Sequence, residues 1–303
     1  MGKQFDIIII GHSCLDMIVE PDGTVLENTG GAVTYSSASA LSLGYRVAAV
    51  NKYAPQDAGR CDVLRVPKED TYYIPSTVST AIKNVFLDDT RERRTCTALA
   101  QAEAFRLDEI PADIEAPVYQ LAALINGDFD LETIKALSKR GRVALDAQGF
   151  LRNVENGEMV FRDWAGKQEA LPYITYLKTD AAEAQTMTGL SDRYEAAKVM
   201  RGWGAKEVMV SHNTEMIVYD GAEFSAWPVV SRNFSGRTGR GDTVFAAYIT
   251  ERQHAGMNDA LRLATAAVSL KMEKPYPLDA TREEVIAYME EFLPVAKQAG
   301  HGK

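Results

Sequence analysis

Ile7-Ile8-Ile9-Ile10-Gly11 is a run of four apolar β-branched residues closed by a glycine. A continuous apolar run this short reads as a strand covered on both faces, as in a mostly parallel sheet; a half-solvated strand would alternate. Working outward, residues 17–20 extend as a strand, Pro21-Asp22-Gly23 makes a tight turn, and a return strand starts at Val25. Gly30-Gly31 then opens a helical stretch that runs to Leu43. Val33, Ala38 and Leu41 supply its apolar face and Gly44 stops it. Residues 47–50 form the next buried strand, which completes one βαβ-like unit.

Farther along the chain the same alternation returns. Residues 119–125, 143–145, 174–178 and 208–210 read as strands, and 131–139, 181–187 and 194–203 as helices. Residues 216–219 and 224–230 add an antiparallel pair turned at Asp220-Gly221, and helices follow over 242–252, 258–272 and 282–292. This pattern predicts an α/β fold with an open, mostly parallel sheet and helices on both faces, in one domain over 1–303. Ligands of such folds bind beyond the carboxyl ends of the strands. One stretch breaks the alternation: 82–87 and 95–99 flank the polar turn Asp88-Asp89-Thr90, a hairpin signature. Together, segments near 13–29 and 70–98 predict a small separate sheet, such as a lid.

Bulk composition narrows the function classes. Of 303 residues, 46% are hydrophobic and 25% charged, enough for a sizeable core, and the net charge is −9. A general nucleic-acid binder would carry a basic face. The densest basic cluster, Arg91, Arg93 and Arg94, is interrupted by Glu92 and adjoins Asp88 and Asp89, so it reads as a solvated turn. No apolar run reaches membrane-spanning length, and no signal sequence is read at the start. Cys14, Cys61 and Cys96 are odd in number and contain no paired motif, which suggests a reducing compartment. The cytoplasm is the expected location.

The segment richest in chemistry is Thr238-Gly239-Arg240-Gly241-Asp242-Thr243, which runs directly into a helix. Its glycines let the backbone turn tightly and approach a ligand. The helix start offers unpaired N–H groups and a positive dipole end, which suits a transferring phosphoryl group. A carboxylate at Asp242 can accept the proton of an attacking hydroxyl. From these residues alone a second reading stays open, with Asp242 as an N-cap over a plain glycine turn.

This segment resembles the second signature of the PfkB, or ribokinase-like, carbohydrate kinases, whose core reads Thr-Gly-Ala-Gly-Asp. Arg240 replaces the usual alanine and sets a cation beside the phosphates. Gly30-Gly31 with the helix to Leu43-Gly44 resembles the first signature, and Gly11 to Asp16 resembles the opening strand and loop, in which the aspartate matching Asp16 binds substrate hydroxyls. Lys178-Thr179-Asp180-Ala181-Ala182-Glu183 resembles the Asn-x-x-Glu motif that supports Mg²⁺ and the phosphates, with Asp180 where asparagine is usual. The resemblance covers almost the whole chain. It implies a three-layer α/β/α fold with a small β-sheet lid, ATP and Mg²⁺ as cofactors, and a homodimer through the lid as a further option.

Several positions depart from the family pattern. Where its nucleotide strand ends in Thr-Leu-Gly, this chain has Val210-Ser211-His212-Asn213-Thr214-Glu215. Ser211, Asn213, Thr238 and Gly239 are the nucleotide-side candidates, and His212 reads as a loop residue. The position of the aspartate that helps many members hold a monovalent cation is Gly236, followed by Arg237, which argues against K⁺ activation. Asp146-Ala147-Gln148-Gly149-Phe150-Leu151-Arg152 and residues 79–94 resemble the branch of archaeal-type nucleoside and myo-inositol kinases. There Gln148 and Arg152 can face substrate, or Arg152 can serve in a surface salt bridge.

The expected reaction is therefore ATP-dependent phosphorylation of a hydroxyl on a small sugar or cyclic polyol, with myo-inositol among the acceptors. Asp242 is the general base, and the N–H groups of Gly239, Arg240 and Gly241 form the anion hole. Asp180 and Glu183 support Mg²⁺, and Asp16 and Gly30-Gly31 hold the acceptor. A nucleoside kinase on the same fold is the alternative, with Tyr35, Tyr53 and Phe86 able to line either pocket. An inactive ligand-binding regulator is a third reading, opposed by the intact Asp242 and anion-hole glycines. The expected partners are small molecules, not nucleic acid or membrane.

Overall fold

The computed structural model describes residues 2–88 and 94–295. The expectations for the turn at Asp89-Thr90, the basic cluster at Arg91 and Arg93 and the polar tail from Ala296 lie outside the described residues. A nine-stranded sheet runs in the order Phe224–Pro228, Glu215–Tyr219, Glu207–Ser211, Ile174–Asp180, Arg142–Asp146, Val118–Ala122, Ile7–His12, Val47–Tyr53 and Thr71–Pro75. Pairing is parallel from Glu207–Ser211 through to Thr71–Pro75; only the two strands at the other edge are antiparallel.

Ile7 to Ile10 lie on an interior strand of this sheet, third from the Thr71–Pro75 edge, and are fully buried. Ile7 and Ile9 face one apolar core, and Ile8 and Ile10 face a second. Two cores on opposite faces make the three layers, and full burial of each isoleucine contributes about 1.5–3 kcal/mol. Helices Ala32–Ser42, Arg240–Glu251, Met257–Lys271 and Arg282–Phe292 cover the first face. Helices Leu131–Ser138, Ala181–Thr188 and Arg193–Gly202 cover the other. Among the described residues no helix is long and apolar enough to cross a membrane.

A second, six-stranded sheet has the order Arg152–Glu155, Glu158–Phe161, Arg94–Ala100, Thr80–Phe86, Cys14–Val19 and Val25–Gly30. Two features differ from the sequence expectation. Thr71–Pro75 belongs to the large sheet, paired parallel to Val47–Tyr53. In addition, Arg152–Glu155 and Glu158–Phe161 form a hairpin of the small sheet that was not expected. Its signal is present in the sequence: Asn156-Gly157, at φ 51° and 86°, is the dipeptide that tight hairpin turns favour.

Candidate active site

The motif residues gather at the carboxyl edge of the large sheet and beneath the small one. Helix Arg240–Glu251 starts from Gly239, whose backbone is left-handed at φ 75°. A Cβ on Gly239 would lie 2.1 Å from the Tyr35 ring, so only glycine fits there. Gly239, not Asp242, occupies the N-cap position. Asp242 is a first-turn residue with its carboxylate at the positive end of the helix, which removes the plain-cap reading. Tyr35 sits in helix Ala32–Ser42, directly after Gly31, which is held at φ 100° against the His12 carbonyl. A Cβ on Gly30 would meet the Asp16 carboxylate at 2.7 Å and the Tyr35 ring at 3.7 Å. Burial, then the charges of Asp16 and Asp242, push the Tyr35 hydroxyl up to about 12. Both carboxylates therefore act on one ring, and Tyr35 joins the Asp16 side of the site to the Asp242 side.

Asp242 is held from below as well. Ser39 Oγ donates to the Thr243 carbonyl at 2.8 Å, and Gln120 Nε2 donates to Ser36 Oγ at 2.8 Å, next to the Asp242 backbone. Burial, reinforced by the Asp146 carboxylate, pushes the Asp242 carboxyl up from 3.8 to about 6, while Lys178, Arg152 and Lys271 oppose the rise. A base poised there is charged at neutral pH yet close enough to it to take a proton. Arg152, at the start of the small sheet, lies near enough for its charge to act on Asp242. It also acts on Cys14, whose Sγ donates to Asp16 at 3.2 Å.

Lys178 is 3% exposed and ion-pairs with Asp146 at 2.8 Å, with Glu183 3.9 Å away. Burial draws its pKa down, but Asp146, Glu183 and Asp180 outweigh that and raise it, so the ammonium stays charged. A Cβ on Gly241 would sit 2.7 Å from Lys178 Nζ; the glycine lets the helix start press against this pair. Asp180 and Glu183 form a capping box, each side chain bonding the other's backbone N–H at 2.7–2.8 Å. Burial pushes Glu183 up to about 7 against the pull of Lys178. Glu183 Oε1 is buried with no hydrogen-bond partner among the described residues. Hard carboxylate oxygens and a spare buried acceptor fit Mg²⁺ held through its waters; a directly bound dication would have to share the corner with Lys178. Among the described residues no cluster of three or more His, Cys, Asp or Glu side chains could hold a metal by itself.

Beside the helix start, Arg240 bonds the Asn213 side-chain oxygen. Burial lowers the Arg240 pKa while Asp180 and Glu183 support its charge. Ser211 turns inward: its hydroxyl is buried and donates to the Thr179 carbonyl at 3.3 Å. His212 bonds Thr214 at 2.8 Å within its own loop. Gln148 uses its backbone N–H on Asp146 at 3.1 Å. Tyr53 packs against Tyr73 with ring centres 4.4 Å apart and planes tilted by 36°. Sequence reasoning missed Lys271, a buried ammonium that contacts the Gly236 and Thr238 carbonyls; a lysine inside a helix's apolar face was the available signal. An open cavity of about 600 Å³ lined by Lys52, Ser76, Glu103 and Glu109 contains none of the motif residues, so the chemistry is not assigned there.

The model of the pfkB family carbohydrate kinases matches residues 68–283. The chain belongs to this family. It is a ribokinase-like kinase, a phosphotransferase that acts on a sugar-like or nucleoside hydroxyl. It is 25% identical over 260 residues to a cytidine kinase of Thermococcus kodakarensis, covering 81% of this chain and 88% of that protein. Among solved structures, a pyrophosphate-dependent kinase of the ribokinase family, in complex with a pyrophosphate analog and myo-inositol, is 31% identical. That match covers 93% of this chain and 99% of that one, with a TM-score of 0.84. A pyrophosphate-dependent myo-inositol-1 kinase converted by mutation to a myo-inositol-3 kinase is 29% identical, with coverage of 94% and 98% and a TM-score of 0.82. The ribokinase of Arabidopsis thaliana with ribose and ATP is 17% identical, covers 95% of this chain and 99% of that one, and has a TM-score of 0.72; it shares the fold.

Proposed function

We propose that this kinase phosphorylates a hydroxyl of a cyclic polyol, with myo-inositol the first acceptor to test and pyrophosphate the first donor. The observation that carries the reading is the Asp242 carboxylate at the positive helix end, raised to about 6 and joined to Asp16 through Tyr35. Asp16 accepts hydrogen bonds from acceptor hydroxyls, and Arg152 lends positive charge from the small sheet. Asp242 takes the proton of the attacking hydroxyl. The N–H groups of Gly239 and Gly241 meet the charge that develops on the transferred group; the Arg240 N–H, included in the sequence expectation, donates instead to the Arg237 carbonyl at 3.3 Å. Mg²⁺ would be held through water by Asp180 and Glu183; when bound it neutralises phosphate charge. Closure of the small sheet over the acceptor would exclude water.

The donor reading differs from the ATP expected from the sequence. Arg240 replaces the family's small residue and spans to Asn213 at the donor edge. A guanidinium there suits a compact, highly charged diphosphate. The two pyrophosphate-dependent neighbours support this choice. ATP remains the second donor, since Asn213 and Thr214 are exposed where a nucleoside would lie. A nucleoside is the second acceptor, on the strength of the cytidine kinase relative. The homodimer suggested by the resemblance would use the small sheet, which leaves Val25, Leu26, Leu99, Val154 and Phe161 exposed; light scattering tests it.

The deciding assay presents pyrophosphate or ATP, with Mg²⁺, to myo-inositol, hexoses, pentoses and ribonucleosides, with Asp242→Asn as the blank. Turnover of myo-inositol with pyrophosphate, absent in the variant, supports the reading. Turnover only with ATP replaces the donor, and turnover only on nucleosides replaces the acceptor. No turnover with any pair refutes the kinase mechanism built on Asp242.

A further inference from the structure

Lys271 is the last residue of helix Met257–Lys271 and is 1% exposed. Its ammonium donates to the Gly236 carbonyl at 2.8 Å and to the Thr238 carbonyl. It also lies 5.2 Å from the centre of the Tyr35 ring. A buried ammonium carries a desolvation penalty of several kcal/mol, and a methionine would fill the same space without it. The charge is therefore poor evidence of a packing role, and its partners indicate another one. Both carbonyls belong to the irregular segment that leads into Gly239 and the anion hole.

A trans peptide points its C=O and N–H in opposite directions. With the Thr238 carbonyl drawn onto Lys271, the N–H of Gly239 in the same peptide points away from it, free of the helix end. The rest of the segment is anchored to the same helix end: Gly236 N–H donates to the Met272 carbonyl at 2.8 Å and Ser235 Oγ to the Glu273 carbonyl at 2.7 Å. Lys271 alone in this group reaches the carbonyl adjoining Gly239. The helix C-terminus favours a cation at this position, and the charge of Asp242 supports it from across the loop.

We propose that the Lys271 ammonium is a tethered cation that shapes the anion-hole loop, which makes Lys271 a positioning residue for the Gly239 N–H and for Asp242. The proposal rests on the kinase reading above. It means that the loop needs no dissolved monovalent cation.

The test starts with the wild-type enzyme in sodium, potassium and tetramethylammonium salts, on whichever donor and acceptor it turns over. No wild-type turnover at all would count against the kinase reading. Equal turnover in the three salts supports a built-in cation, whereas a requirement for potassium overturns it. Lys271→Ala should then lower kcat on the order of 10²-fold, the loss expected from a misplacement of about 1 Å. Methylammonium or potassium, small enough to enter the vacated space, should recover most of that loss in a saturable way, and tetramethylammonium should not. Lys271→Met, which fills the space without charge, should be impaired and not rescued. Wild-type kcat in either variant, or a loss in Lys271→Ala that no cation recovers, refutes the positioning role. Should Lys271→Ala fail to fold, the wild-type salt series and Lys271→Met still decide.

Discussion

Asp242→Asn separates catalysis from stability because the structure makes the two move in opposite directions. Asparagine keeps the shape of the side chain and removes the charge. In the proposed mechanism Asp242 is the general base, a role worth about 10²–10⁴-fold in kcat, and the variant should lose that factor. Stability should rise. Burial beside Asp146 lifts the Asp242 pKa from 3.8 to about 6. At about 1.36 kcal/mol per pKa step, that is a penalty on the order of 3 kcal/mol for the charged form. Asp242 is partly exposed, so solvent screening reduces the figure to on the order of 1–2 kcal/mol. In a protein of this size, each kcal/mol shifts Tm by about 2–4 °C.

The sign follows from linkage. A carboxyl whose folded pKa is raised favours the folded state only while protonated. Wild-type stability from this group is present below about 4 and is lost as pH rises to about 6. The variant has no such term. Its Tm advantage should be absent at pH 4, appear between 4 and 6, and stay constant above. Thermal melts at both ends of that range, with kcat measured on the same preparations, check the argument. A variant that melts below wild type at pH 8, or that keeps its turnover, refutes a strained catalytic carboxylate at this position.

Four further outcomes are expected. The pH profile of kcat should rise through about 6 as Asp242 deprotonates and fall through about 8 as Lys271, drawn down by burial, loses its charge; a profile flat across either limb removes that group from the mechanism. Gly241→Ala puts a Cβ 2.7 Å from Lys178 Nζ, so the lysine must shift from Asp146, and kcat should drop by about 10–10²-fold with acceptor KM little changed. Asp16→Asn weakens charge-assisted hydrogen bonds to the acceptor, worth about 1.5–3 kcal/mol, and should raise acceptor KM without altering donor KM. Arg240→Ala should do the reverse by a similar factor, and steady-state kinetics with each substrate varied distinguish the two.

The sequence by itself determined the layered α/β architecture. Ile7 to Ile10 and the later apolar runs are fully buried strands, and a run apolar on both faces can be satisfied only by helices above and below it. The helix start after Gly239, with Asp242 in its first turn, was legible too, because glycine spacing and a first-turn carboxylate are local properties of the chain. Sequence reasoning placed Thr71–Pro75 with the small sheet, whereas the strand pairs with Val47–Tyr53 of the large one, since a five-residue strand carries no mark of its neighbours. The hairpin Arg152–Phe161 was legible at Asn156-Gly157, although strand alternation there is weak. Only the tertiary structure decided which charges share the site. Tyr35 between Asp16 and Asp242, Lys178 between Asp146 and Glu183, and Lys271 on the loop carbonyls each join residues far apart in the chain. Their pKa values follow from burial and from neighbours across those gaps, which depend on distances that no local pattern of residues encodes.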